Sequence, residues 1–127
     1  MQLPEDDETY LNSKGYAWRL LSDGNGACLV ISNFAVSTAL FDSAQTELMI
    51  RIPAQYNIAG LDMFYVAPEI KLRSTGEYPE AASTFEDHCG QRWQRFSRHL
   101  TTTPWRAGVD GLPMFLALIQ KELQAKG

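Results

Sequence analysis

The sequence lacks several features that would place it in a specialised class of protein. No apolar run approaches the roughly 20 residues that span a bilayer, and two cysteines are too few for a disulfide framework. Lys and Arg number 11 against 15 Asp and Glu, and this net charge of −4 argues against nucleic-acid binding as the main task. Residues 1–8 are acidic and have neither the basic nor the apolar region of a signal peptide. We therefore expect a cytoplasmic protein without a membrane or nucleic-acid partner.

The patterns that bind common cofactors are also missing. No glycine-rich phosphate loop is present, since Gly24 and Gly26 fit a hairpin turn instead. His88 and Cys89 are adjacent, and His99 is the other histidine, so no pair has the spacing of a zinc ligand set. The sequence therefore predicts neither a cofactor nor a metal.

The first half of the chain predicts an α+β domain that begins with a helix. Acidic residues after Pro4 and a glycine at position 15 favour a helix over residues 4–14. Four strands should follow, joined by short connections, with a hairpin turn at Asp23-Gly24-Asn25-Gly26 and prolines that end the last two strands. They are expected at residues 16–21, 27–31, 46–52 and 61–66. Such an order indicates an antiparallel meander.

The second half predicts an irregular segment and then helices. Residues 67–82 should form a loop, and Ser83 with Glu86 resembles a capping box for a short helix ending at Cys89. Residues 91–99 carry Trp93 and Phe96 at helical spacing, which favours a second short helix. A final helix over residues 111–125, capped by Asp110, should bury an apolar stripe of Leu112, Phe115, Leu116, Ile119 and Leu123. Without a linker or repeat, residues 1–127 are expected to form one domain.

The candidate functional residues lie around Ser97, which stands eight positions before Trp105. A hydroxyl becomes a useful nucleophile when a base takes its proton, and His99 and His88 are the candidate bases. Arginines surround this serine, and their guanidinium groups suit carboxylates and developing negative charge. They are Arg92, Arg95, Arg98 and Arg106.

The order of elements resembles the ubiquitin-conjugating E2 fold, which has an N-terminal helix, a four-stranded meander, an irregular active-site segment and a later helix. In E2 proteins the acceptor cysteine precedes a tryptophan by eight positions, and here Ser97 and Trp105 take those places. More closely, the chain resembles prokaryotic E2 family E, a bacterial group. The stretches that carry this resemblance are Leu3-Pro4-Glu5-Asp6-Asp7, Tyr10-Leu11, Arg51-Ile52-Pro53, Met63-Phe64 and residues 92–99.

The resemblance implies a transferase that carries a ubiquitin-like protein received from an E1-like adenylating enzyme. By position, it implies that Ser97 is the acceptor and would hold the modifier as an oxyester. His99, or His88, would be the base, Arg95 and Arg98 would support the reaction, and Trp105 would be a structural anchor.

Besides an unrelated α+β domain in which the spacing of Ser97 and Trp105 is accidental, two alternatives remain open at the level of sequence. Cys89 is a better nucleophile by chemistry, and His88 or Arg92 could activate it, but it stands sixteen positions before Trp105. The domain could instead be an inert binding module that docks the modifier or the E1-like enzyme. This second alternative is favoured by Asp87-His88-Cys89-Gly90, the nearest match to the His-Pro-Asn triplet of E2 proteins, because it lacks both the proline and the asparagine.

Overall fold

The computed structural model describes residues 1–97 and 104–125, and it shows an α+β fold in which two helices cover one face of an antiparallel sheet. The elements are α1 (Glu5–Ser13), β1 (Trp18–Asp23), β2 (Gly26–Ala35), β3 (Gln45–Ile52), β4 (Phe64–Ala67), β5 (Thr84–His88), β6 (Gln91–Phe96) and α2 (Leu112–Leu123). Within these residues the sheet has the order β1-β2-β3-β4-β6-β5. No helix in the part described is long and apolar enough to cross a membrane.

The predicted N-terminal helix and the first four neighbouring strands are confirmed, for the reasons that the sequence supplied. Asp23 pairs with Gly26 across a two-residue turn, and Gly24 takes a φ of 61°, which suits the first position of such a turn. Pro53 follows β3 directly, and Pro68 follows β4, because proline cannot donate to the ladder of hydrogen bonds.

The two short helices predicted between residues 83 and 99 are wrong, because β5 and β6 occupy this region as a hairpin. Trp93 and Phe96 are both buried, but they lie on opposite faces of the sheet. The alternation of the two faces along β6 is not visible in the sequence, because Gln94 is polar but its side chain is buried. Its side-chain amide is buried and bonds the backbone of Ile70 and Ala82, at 2.8–3.1 Å. The sheet therefore has six strands in the residues described, two more than predicted.

The C-terminal helix forms as predicted, with a different start. All five residues of the predicted stripe are buried, which confirms the core face. The N-cap is Gly111 rather than Asp110, and the N–H of the first helical residue, Leu112, donates to the Tyr56 hydroxyl. The Asp110 carboxylate is instead occupied by Arg106, whose backbone N–H and guanidinium donate to it at 2.8–3.0 Å.

The sheet separates two apolar clusters. The large one lies between the sheet and the helices, and we call it the helix-side core; it includes Leu29, Leu48, Phe64, Phe96 and Phe115. The small one lies on the opposite face, which we call the outer face, and consists of Cys28, Val30, Met49, Tyr65, Ala67 and Trp93, with Leu21, Met63 and Cys89 packed against it. Alternation along the strands sends neighbouring residues to opposite clusters.

Candidate functional site

Ser97 is the first residue after β6, and it is exposed. Its backbone N–H donates to the carbonyl oxygen of Ala81 at 3.0 Å, which holds the end of the strand against the preceding loop. Because side chains alternate along a strand, Ser97 shares the outer face with Trp93 and Arg95. Its hydroxyl is therefore placed where a second molecule can reach it.

Trp105 packs against the connection between β3 and β4, residues 53–63. Its indole N–H donates to the carbonyl oxygen of Asn57 at 2.9 Å, and the Gly108 N–H donates to the same oxygen at 3.1 Å. The ring lies so close to Gly60 that a Cβ on this glycine would come within 2.6 Å of Trp105 Cγ. Gly60 is thus required for the close approach of the indole.

Polar contacts extend this junction from the β3–β4 connection to both helices. The Tyr56 hydroxyl donates to Asp7 Oδ2 at 2.6 Å and accepts from the Leu112 N–H at 2.7 Å. The Asn57 side-chain amide donates to the Asp110 carbonyl at 2.9 Å. Burial raises the pKa of the Asp7 carboxyl, and the hydrogen bond from Tyr56 only partly opposes this rise. Residues 104–112 are therefore held at many points, which fixes the chain that follows the Ser97 region.

His88 is not next to Ser97. It pairs with Gln91 at the start of β6, and Ser97 stands six positions after Gln91, roughly 20 Å along an extended strand. His88 Nε2 lies 2.8 Å from Glu86 Oε1, and Arg95 Nη1 donates to Glu86 Oε2 at 2.7 Å. The structure thus brings His88 and Arg95 to a carboxylate, and it does not bring His88 to the serine.

Glu86 is a residue that the sequence reasoning missed as a site member. Its carboxylate also accepts from the Tyr65 hydroxyl at 3.2 Å. The hydrogen bond from His88, followed by those from Arg95 and Tyr65, holds the pKa of Glu86 below its ordinary value. Glu86 and His88 stand two positions apart, so they share one face of a strand; the helical interpretation of this segment concealed that pairing.

His99 and Arg98, two of the predicted site residues, lie outside the described residues. Arg92 is exposed, with its guanidinium 4.6 Å from the centroid of the Phe85 ring. Arg106 is committed to Asp110. Of the four predicted arginines, Arg95 is therefore the one that the described structure places on the same strand face as Ser97.

An open groove of about 460 Å³ lies at the end of the sheet where β6 finishes. Its lining includes Arg51, Gly60, Asp62, Met63 and Tyr65. Phe64 pairs with Phe96, so Met63 and Ser97 each lie one residue beyond the last pair of β4 and β6, at the same end of the sheet. Sequence reasoning missed this groove because it is assembled from strands that are distant along the chain.

The two cysteines meet on the outer face. Cys28 Sγ and Cys89 Sγ are 2.6 Å apart, and with Asp23 they form a group whose ligand atoms lie within 4.8 Å of one another. Two sulfurs and a carboxylate are a donor set that zinc accepts. The spacing search in the sequence missed this group because 61 positions separate the cysteines.

Comparison with curated proteins and with solved structures gives no match to this chain. The model of one protein family, described as prokaryotic E2 family E, matches residues 3–126. That match spans the helices, the sheet and both sides of the Ser97–Trp105 segment. The chain belongs to prokaryotic E2 family E.

Proposed function

We propose that the chain is a carrier for a ubiquitin-like protein and holds the modifier as an oxyester on Ser97. The observation that supports this most is the exposed hydroxyl at the end of β6, eight positions before a tryptophan docked on residues 57–60. Membership of an E2-like family supports the class of reaction. The groove beside Met63 offers room for an extended C-terminal tail.

In the proposed step, the Ser97 oxygen attacks the carbonyl carbon of a thioester between the modifier and an E1-like enzyme. The C–S bond breaks, the E1 thiol leaves, and the serine proton goes to a base. His99 is proposed as that base, since His88 is bound to Glu86. An amine then attacks the oxyester carbonyl, the C–O bond to Ser97 breaks, and the serine hydroxyl forms again as it takes back a proton from the base.

An oxyester transfers to amines more slowly than a thioester, because an alkoxide is a poorer leaving group than a thiolate. Transfer would need donors aimed at the developing oxyanion. Backbone N–H groups and Arg98 are proposed for this role. Arg95 is already engaged with Glu86 and is proposed to position that carboxylate.

Two alternatives have observations of their own. Cys89 could carry a thioester, but its sulfur is half-buried against Cys28, at the far end of β6 from Ser97. An inert module that docks the modifier or the E1-like enzyme is favoured because the side chains of His88 and Arg95 are both bonded to Glu86.

The test is a reaction of the chain with a ubiquitin-like protein, an E1-like adenylating enzyme and ATP, followed by intact mass measurement. We expect an adduct of one modifier that survives dithiothreitol and is removed by mild alkali. Ser97→Ala should abolish it, and the matched exposed-serine control Ser83→Ala should not. Ser97→Cys should convert the adduct to one that dithiothreitol cleaves.

Each alternative predicts a different result in the same reaction. Loss of the adduct in Cys89→Asn, with retention in Ser97→Ala, would transfer the acceptor role to the thiol. Binding of the modifier or the E1-like enzyme without an adduct in any variant would establish the inert module.

A further inference from the structure

Cys28 and Cys89 contact each other through their sulfur atoms on the outer face. Cys28 is fully buried in the middle of the small cluster, whereas Cys89 is half-buried in the turn between β5 and β6. Their sulfur atoms are 2.6 Å apart although 61 positions separate the residues in sequence. The carrier reaction on Ser97 uses neither thiol.

The backbone conformation of the turn between β5 and β6 places the Cys89 thiol against Cys28. Cys89 and Gly90 have φ values of 50° and 77°, as in a two-residue hairpin turn with both central residues in the left-handed region. Asn-Gly is the common pair there, because asparagine tolerates this conformation better than most residues. Trp93, buried in the cluster, fixes the hairpin over the sheet. Cys89 Sγ consequently lies against Cys28 and 3.8 Å from the Ser22 carbonyl oxygen.

We propose that Cys28 and Cys89 form a reversible intramolecular disulfide when the protein meets a low-molecular-weight disulfide such as oxidised glutathione. A disulfide requires sulfurs about 2.0 Å apart, so the thiols need to approach each other only slightly. The inference is independent of the chemistry on Ser97.

The order of the two steps follows from accessibility. The Cys89 thiolate attacks oxidised glutathione, its S–S bond breaks, and one glutathione leaves as a thiol. Cys28 then attacks the Cys89 sulfur of the mixed disulfide, and the second glutathione leaves. The two cysteines lose two electrons and two protons, and oxidised glutathione gains both. Burial and the neighbouring thiol raise the pKa of Cys28 to about 12, which makes it a poor attacking group for the first step.

The same geometry disfavours a metal. Two thiolates bound to tetrahedral zinc at about 2.3 Å from the ion stand roughly 3.7 Å apart, which is farther than these sulfurs are. Asp23, the third donor, already has Arg51 Nη2 at 3.4 Å from its Oδ2. Two sulfurs closer together than zinc requires, and a carboxylate that is already paired, fit a sulfur–sulfur bond better than a metal.

The experiment treats the reduced protein with oxidised glutathione and follows intact mass and, after unfolding in denaturant, alkylation by iodoacetamide. We expect the wild type to lose two hydrogens, to retain no glutathione, to lose both alkylation sites and to regain them with dithiothreitol. Cys28→Ala should accumulate one glutathione on Cys89. Cys89→Asn keeps a residue suited to the turn and should leave Cys28 unmodified.

Three results would overturn the proposal. One is a wild type that keeps glutathione on Cys89 in the same yield as Cys28→Ala. Another is a disulfide between two chains rather than within one. The third is protection of both thiols by equimolar Zn²⁺ that a chelator reverses, together with failure to close in the metal-free protein; this would make the pair a metal site.

Discussion

The two faces of the sheet differ in the number and the chemical type of the side chains that they bury. The helix-side core contains residues from the sheet and from both helices, while the outer cluster has six buried members, one of which, Trp93, belongs to the β5–β6 hairpin. The polar side chains on the helix side join its elements to one another: Tyr56 bonds Asp7 and Leu112, and Gln94 bonds Ile70 and Ala82. The outer face has two thiols and a carboxylate shared by Tyr65, His88 and Arg95.

This difference suggests a division in which the helix-side core mainly stabilises the fold, while the outer face holds the groups that can react or bind. A large apolar face supplies most of the free energy of folding, because that energy scales with the apolar area removed from water. A thinly covered face can then hold groups that react or bind. Adjacent residues on one strand allow the division to be tested, since they point to opposite faces.

The largest expected effects come from Leu48 and Met49, which are neighbours on β3 and are both fully buried. Leu48→Ala should lower the free energy of unfolding by about 4 kcal/mol, because the helix-side core is packed on all sides. Met49→Ala should cost about 2 kcal/mol, since the smaller cluster relaxes more easily. Urea unfolding of both variants measures the difference, with the exposed helix residue Lys121→Ala as control.

Equal losses at Leu48 and Met49 would contradict the division, and a larger loss at Met49 would reverse it. The control should stay within about 0.5 kcal/mol of the wild type.

Glu86 tests the polar part of the outer face. Glu86→Gln should lower the free energy of unfolding by about 2 kcal/mol at neutral pH, because Arg95 and His88 lose a charged partner. The folded-state pKa of Glu86 is lowered, so its stabilisation is present above the unfolded-state pKa and is lost as pH falls through the folded-state value. The gap between wild type and variant should therefore shrink toward acid pH.

The control for this variant is Glu5→Gln, a change at an exposed residue outside the network. A gap between wild type and Glu86→Gln that is constant across the acid range would show that the carboxylate gains nothing from its three donors.

Asp7, a buried residue of α1, should affect the pH dependence of stability in the opposite direction. Its folded-state pKa is raised, chiefly by burial, so its contribution to stability is greatest at low pH and is lost as pH rises through that value. The Asp7→Asn variant should therefore gain stability relative to the wild type as pH rises from acid to neutral. The expected change is about 1.4 kcal/mol for each unit by which the folded and unfolded pKa values differ.

Urea unfolding at several pH values measures this trend. A trend with the same sign as that of Glu86→Gln would show that the Tyr56 hydrogen bond, rather than burial, dominates the Asp7 carboxyl.

The smallest effects concern the turn that presents Cys89. Gly90→Ala should cost about 1 kcal/mol, because alanine resists a φ of 77°. Cys89→Asn should be neutral or slightly stabilising at a φ of 50°, since asparagine suits that conformation. Thermal unfolding of the reduced proteins compares the two. A large loss in Cys89→Asn would mean that the reduced thiol contact itself stabilises the hairpin.

The elements that sequence could predict are those with local signals. Gly24 and Asn25 mark a turn, Pro53 and Pro68 end strands, and the stripe of α2 repeats at helical spacing. The β5–β6 hairpin could not be predicted in this way, since Ser83 and Glu86 imitate a capping box and buried Gln94 breaks the alternation. The sequence suggested Ser97 and Trp105 through their spacing. Contacts such as Glu86 with Arg95, or Cys28 with Cys89, depend on strand pairing and tertiary packing and have no local signal.

In the part of the chain that the structure describes, β1 and β5 are the outermost strands of the sheet. An outer strand presents free backbone groups that can template growth of the sheet into another molecule. β5 is five residues long and has Glu86 and Asp87 at its centre, and β1 contains Arg19 and Asp23. A copy that added a strand at β5 would bring its own two acids against this pair. The charged residues on both edge strands thus disfavour aggregation by strand addition to this open sheet.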